Sequence, residues 1–94
     1  MTLQEFKEKT SLALEVTEKL LGVSQDPSMV KVKSQLEAIM GAIDKNEPSL
    51  DLANKLTMAQ IIVSSYSPAP TSDIDRWGRL ILEVNHIYKK WSHK

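Results

Sequence analysis

The chain has 94 residues, no cysteine and a formal net charge of zero, with 41% hydrophobic and 26% charged residues. This length predicts one domain with one core, and the lack of cysteine excludes disulfides, thiolate metal sites and cysteine nucleophiles. Charged residues begin at Glu5, which argues against a signal peptide, and no apolar run approaches the roughly 18 residues of a membrane span. We therefore expect a soluble cytoplasmic protein.

The first helix is predicted over about residues 3–21. Thr2 with Glu5 three residues later is a capping box, which marks a helix start, and Gly22 stands where a glycine commonly ends a helix. Between them, apolar and small residues recur at the steps of three and four that indicate a helix: Leu3, Phe6, Thr10, Ala13, Leu14, Thr17, Leu20 and Leu21.

The second helix is predicted over about residues 27–45. Asp26 can cap it, and Pro27 suits the first helical position because its missing N–H would have no partner there in any case. Asn46 and Pro48 end the pattern. The apolar stripe of this helix is Met29, Val32, Leu36, Ile39, Met40 and Ile43.

A third helix is predicted over about residues 50–65, with Asp51 in the first turn, where an acid suits the helix dipole. It is apolar over most of its circumference, so it should be the most buried helix. The run Ile61-Ile62-Val63 favours a strand locally. We nevertheless predict a helix, because no second segment could pair with such a strand and satisfy its backbone.

The fourth helix is predicted over about residues 73–91, after a Ser67-Pro68-Ala69-Pro70 loop whose prolines exclude a helix. Its apolar positions are Ile74, Trp77, Ile81, Val84, Tyr88 and Trp91, a heptad-like stripe. Short connections force sequential helices to be antiparallel neighbours. The predicted fold is therefore all-α, a single-domain antiparallel four-helix bundle.

The residue types and spacings argue against an enzyme. His86 and His93 are seven residues apart, about 10 Å along a helix, and could not share a zinc ion. The three glycines are scattered, so no loop could cradle a phosphate, and no serine has an evident base beside it. We predict no catalytic residue, no metal and no cofactor. Gly41 and Gly78, inside predicted helices, are expected to mark close helix–helix contacts.

Acidic residues are grouped at two predicted helix ends. They can serve as helix-capping acids, or as an exposed surface for a basic partner. In an up-down bundle the two groups lie at opposite ends, so one partner could meet both only along the side. One group is Asp73 and Asp75, close to Tyr66, and the other is Asp44, Glu47 and Asp51.

The C-terminal region is basic, because residues 76–94 hold one acid and five Lys or Arg, whereas residues 1–75 hold 11 acids and seven. Trp77 and Trp91 are predicted to lie in the core. Alternatively, Trp91 forms an exposed aromatic and basic tip for a nucleic-acid backbone or a membrane surface. A neutral chain disfavours nucleic acid as the main partner, and we predict no membrane partner. The tip would include Lys89, Lys90 and Lys94.

Two runs carry a family resemblance. They are Gln35-Leu36-x-x-Ile39 in the second helix and Leu56-Thr57-Met58-Ala59-Gln60-Ile61-Ile62-Val63 in the third, followed by a Ser72-Asp73 opening of the last helix. With these features the chain resembles the small all-helical immunity proteins that bacteria carry against type VI secretion toxins. The resemblance is closest to those paired with an NAD(P)+-degrading toxin, although the Ser67–Pro70 loop is longer than in that family.

The resemblance implies an antitoxin that does no catalysis. It would bind a cognate toxin domain in a 1:1 complex, cover the active-site cleft and block nucleotide entry. Tyr66, Asp73 and Asp75 would make the leading contacts, and Asp44, Glu47 and Asp51 a second acidic patch. Two other classes stay open: a helical regulator that contacts nucleic acid through its basic last helix, and an adaptor or enzyme subunit whose partner is not a toxin.

Overall fold

A computed structural model describes residues 2–23, 25–66 and 72–93, with the side chains of residues 63–66 and 72–74 left out of that description. The helices are, in chain order, α1 (Leu3–Val23), α2 (Pro27–Lys45), α3 (Leu50–Lys55), α4 (Met58–Tyr66) and α5 (Ser72–Ser92). The described residues contain no strand, and the prediction of an all-α fold is confirmed. The Ser67–Pro70 loop lies outside the described residues.

Local hydrogen bonds explain most of the helix bounds. Thr2 Oγ1 accepts the Glu5 N–H at 3.1 Å, as half of the predicted capping box, and Asp26 caps α2 through the Ser28 N–H at 2.9 Å. Gly22 was wrongly predicted as the end of the first helix. It has no positive φ, so α1 continues through it to Val23.

The helix predicted over 50–65 is divided into α3 and α4, which corrects that prediction. Leu56 has an extended backbone, at φ −68° and ψ 121°. In an unbroken helix, the side chains of Leu56 and Met58 would point to nearly opposite faces, because each residue advances the helix by about 100°. Both side chains are nevertheless buried. The break therefore lets both side chains enter the core. The Ile61-Ile62-Val63 run is helical, as predicted, within α4.

The side chain of Gln35 on α2 holds this break in place. Its Nε2 donates to Thr57 Oγ1 at 3.0 Å, and its Oε1 accepts the Thr57 N–H at 3.3 Å. Thr57 in turn accepts the Ile61 N–H through its carbonyl, which starts α4. Both Gln35 and Thr57 belong to the runs that carry the family resemblance, and here their role is to shape the fold.

Contacts between helices give an up-down bundle. In α1 and α5, Lys9 pairs with Glu83 while Thr17 meets Trp77, so the two helices are antiparallel. Lys7 of α1 pairs with Asp44 of α2, and Glu18 of α1 with Lys33 of α2, so these two helices are also antiparallel. The α3–α4 segment packs along α5, and α4 also contacts α2. The four predicted helices thus form a bundle in which the third consists of two pieces.

Only one of the two helix-interior glycines marks a close approach. A Cβ added at Gly78 would lie 3.4 Å from Cγ2 of Ile62, which brings α4 and α5 close together. A Cβ at Gly41 would meet no atom of the described residues within 4 Å, so the prediction for Gly41 was wrong.

Candidate functional site

The turn between α2 and α3 is fixed by a dense set of hydrogen bonds. Asn46 adopts the left-handed conformation, at φ 54° and ψ 38°. The Asn46 N–H bonds to the Ile43 carbonyl and the Glu47 N–H to the Ala42 carbonyl, both at 3.0 Å. This is a Schellman motif, a common helix ending that asparagine tolerates. Ser49 then starts α3 by accepting the Leu52 N–H at 3.1 Å.

A side chain from α5 ties the same turn to the core. The Tyr88 ring is fully buried, and its hydroxyl accepts the Ser49 N–H at 2.9 Å and donates to the Ser49 carbonyl at 3.4 Å. The turn is therefore anchored to a core residue 39 positions away, so its backbone keeps one geometry.

Three of the predicted contact residues surround this turn, and we call Asp44, Glu47 and Asp51 the acidic turn. All three are exposed. Asp44 pairs with Lys7 at 2.7 Å and Asp51 with Lys55 at 2.9 Å, whereas Glu47 has no ion pair with any residue the structure describes. Exposed ion pairs contribute only about 1 kcal/mol or less to stability. A partner can therefore replace them, and these carboxylates stay available for binding.

The other predicted contact residues lie at the far end of the bundle, which is 36 Å long. Asp75 is exposed and pairs with Arg79 one helical turn along α5, at 3.1 Å. The side chains of Tyr66 and Asp73 are outside the described ones, so their predicted contacts stay predictions. The two acidic groups are thus separated by the length of the bundle, as the up-down topology requires.

The two tryptophans of α5 have different surroundings. Trp77 is fully buried, and its Nε1–H donates to Thr17 Oγ1 at 2.7 Å. The Thr17 hydroxyl in turn donates to the Ala13 carbonyl at 2.7 Å. The prediction of a core position is confirmed for Trp77. Trp91 is half-buried, with its ring edge-on to Phe6 and Tyr88 at centroid distances of 6.0 and 5.7 Å, so it lines the core without being enclosed by it.

Trp91 borders an open groove of about 720 Å³ at the end of the bundle. We call it the α1–α5 groove. Its apolar wall is formed by Leu3, Phe6, Ile87 and Trp91, Lys90 adds a positive charge, and Thr2, Asn46 and His86 complete it. Through Asn46 the groove adjoins the acidic turn. Sequence reasoning missed this groove because its residues come from three separate segments.

Sequence reasoning placed Thr10 and Thr17 on the inward stripe of the first helix but missed the hydrogen bonds that polar residues form inside the bundle. Thr10 and Thr17 are fully buried within an otherwise apolar stripe, a pattern that signals interior hydrogen bonds. Gln35 could not be found this way, because its partner Thr57 is 22 residues away. Among the described side chains, the Asn85 Oδ1 is the one buried polar atom without a hydrogen-bond partner.

The described residues contain neither a metal-binding cluster nor a membrane-spanning helix. No group of three His, Cys, Asp or Glu side chains in that part of the chain could hold a metal ion. None of the described helices combines the length and apolar character needed to cross a membrane.

Comparisons of this chain with protein-family models, with curated proteins and with solved structures found no match. The resemblance to immunity proteins therefore rests on the residues quoted above, and it stays a prediction.

Proposed function

We propose that this chain is a cytoplasmic immunity protein that binds a cognate secreted antibacterial toxin, an NAD(P)+ glycohydrolase, and blocks its active site in a 1:1 complex. Two features support the proposal. One is the resemblance carried by the Gln35–Ile39 and Leu56–Val63 runs. The other feature gives the strongest support. The acidic turn is held by the hydrogen bonds of the Asn46 and Glu47 N–H groups and by the bond from the Ser49 N–H to the Tyr88 hydroxyl.

Anchoring matters because binding is weakened by every group that must be ordered on association. A turn already held by the Schellman motif and the Tyr88 hydroxyl loses little freedom when it meets a partner. Sites that bind the phosphates of NAD(P)+ are often electropositive, so the carboxylates of Asp44, Glu47 and Asp51 would steer and fit such a cleft. Inhibition of this kind requires occupation of the cleft and no chemistry by this chain.

Co-expression tests the proposal. The chain is expressed together with the toxin domain encoded by the adjacent gene, and growth and cellular NAD+ are followed with and without it. Rescue of both supports the proposal. Rescue of growth in cells whose NAD+ never fell would keep the immunity role and exclude the NAD(P)+ chemistry. A toxin domain that neither binds nor is neutralised would contradict the proposal.

A second candidate is a helical regulator or adaptor that contacts nucleic acid through α5. Arg76, Lys89 and Lys90 are exposed and form no ion pair with the described residues, which favours it. Binding to DNA that falls steeply as salt rises would support this candidate.

A further inference from the structure

We propose that the α1–α5 groove receives an acidic segment of the protein partner, with one large apolar side chain of that segment seated against Ile87 and Trp91. The groove and the acidic turn would then form one partner-binding end of the bundle. The inference rests on the proposed function where it names the partner as the toxin.

The shape and lining of the groove suit an anchoring side chain. Its volume of about 720 Å³ falls within the roughly 300–1,000 Å³ of typical binding clefts. Its wall is aromatic and aliphatic, and Trp91 packs edge-on against Phe6 and Tyr88. Interfaces commonly depend on a few such apolar anchors in preformed pockets.

The charges of the groove define the chemistry of its occupant. Lys90 lines it, no carboxylate is among its described lining residues, and Lys90 has no ion pair with the described residues. Exposed Lys89 adds a further positive charge at the end of α5. Complementarity therefore favours carboxylates on the α5 side of the occupant.

Carboxylates beside the groove disfavour a nucleic acid there. Asp44 lies beside Leu3 on one side, and Glu47 follows groove residue Asn46 on another. A phosphate backbone that continued past Lys90 would approach these carboxylates and be repelled, and such backbones need many cations to bind. A short acidic peptide segment can place its carboxylates near Lys90 alone.

Nuclear magnetic resonance of the labelled whole chain tests the groove without the toxin, because the two indole N–H signals report on two sites. The Trp77 indole is buried against Thr17 and serves as the internal control, and Trp91→Phe identifies the other signal. The probes are a pentapeptide with one phenylalanine between two glycines and two acidic residues, the same peptide with lysines in place of the acids, and a ten-nucleotide oligothymidine.

We expect the acidic peptide to shift the Trp91 indole signal saturably and to leave the Trp77 signal in place. Lys90→Glu should abolish that shift, while Lys31→Glu, the same change at an exposed lysine on α2, should preserve it. The inference is overturned if the acidic peptide causes no shift, if the lysine peptide causes an equal one, or if oligothymidine binds better than the acidic peptide.

Binding to the toxin domain separates this inference from the proposed function. Lys90→Glu should weaken that binding by about tenfold, and Lys31→Glu by less than about twofold. Equal binding by wild type and Lys90→Glu would contradict the groove and leave the immunity role intact. A toxin domain that does not bind wild type would refute the proposed function, and the peptide titration would then decide the groove alone.

Discussion

Trp77 and Trp91 occupy equivalent positions on one helix and have different roles. Both lie on the stripe that runs along α5, two heptads apart. Trp77 is fully buried, and its N–H bonds to Thr17, whereas Trp91 is half-buried and borders an open groove. The periodicity of a helix shows which face turns inward, but the length of the neighbouring helices decides how far along that face the core extends.

The difference follows from where α1 begins. Thr17 has 14 residues of α1 before it and six after it, so more than one turn of α1 continues past Trp77 on each side. Phe6 lies in the first turns of α1, and little of that helix remains to cover Trp91. An aromatic side chain at such a rim keeps its packing partners on one side and offers its other side to solvent or to a partner.

The largest contrast is expected from truncating each tryptophan. Trp77→Ala should lower the free energy of unfolding by about 3–5 kcal/mol, because it leaves a cavity in the core. Trp91→Ala should cost about 1–2 kcal/mol, because less apolar area is lost. Urea denaturation followed by circular dichroism measures both. Equal losses would mean that Trp91 belongs to the core after all.

A smaller effect is expected at the hydrogen bond of the buried tryptophan. Thr17→Val removes the acceptor of the Trp77 N–H, and an unsatisfied buried donor costs about 1–3 kcal/mol. Thr10→Val is the matched control, because the Thr10 hydroxyl bonds only to the Phe6 carbonyl of its own helix and should cost about 0.5 kcal/mol or less. If the two valine variants unfold at the same urea concentration, the interior bond adds nothing.

On α2, a substitution at the half-buried Gln35 should also lower the stability of the chain more than one at the exposed Ser34. Gln35→Ala breaks both bonds to Thr57 and should destabilise the chain by about 1–2 kcal/mol. Ser34→Ala, at an exposed neighbouring position, should change stability by less than about 0.5 kcal/mol. Thermal denaturation compares them, and a Gln35→Ala variant as stable as Ser34→Ala would show that the break at Leu56 does not need the amide.

A smaller effect on stability is expected at the Tyr88 hydroxyl, which holds the turn between α2 and α3. Tyr88→Phe keeps the ring against Trp91 and removes the bonds to Ser49, at a cost of about 1 kcal/mol, since the half-buried Ser49 N–H can turn to water. The amide hydrogens of the turn should exchange faster with solvent. Unchanged exchange there would show that the turn keeps its geometry without Tyr88.

The sequence was sufficient to predict the elements that depend on local chemistry. Caps at Thr2, Asp26 and Asn46 and the apolar steps predicted the helices and the all-α bundle. The break at Leu56 was not predictable, because both halves continue an apolar pattern and the amide that fixes it comes from α2. The exposure of the acidic turn followed from its position at helix ends. The groove did not, because proximity of residues near positions 3, 46 and 90 is a property of the assembled bundle.

Affinity for the adjacent-gene toxin domain, measured by calorimetry, tests most directly that the acidic turn faces a partner. Glu47→Lys reverses a charge on the turn and touches no ion pair among the described residues, and Glu37→Lys makes the same change at an exposed acid on α2. We predict that Glu47→Lys weakens binding by about tenfold and Glu37→Lys by less than about twofold. Wild-type affinity for Glu47→Lys, or an equal loss for Glu37→Lys, would contradict the account.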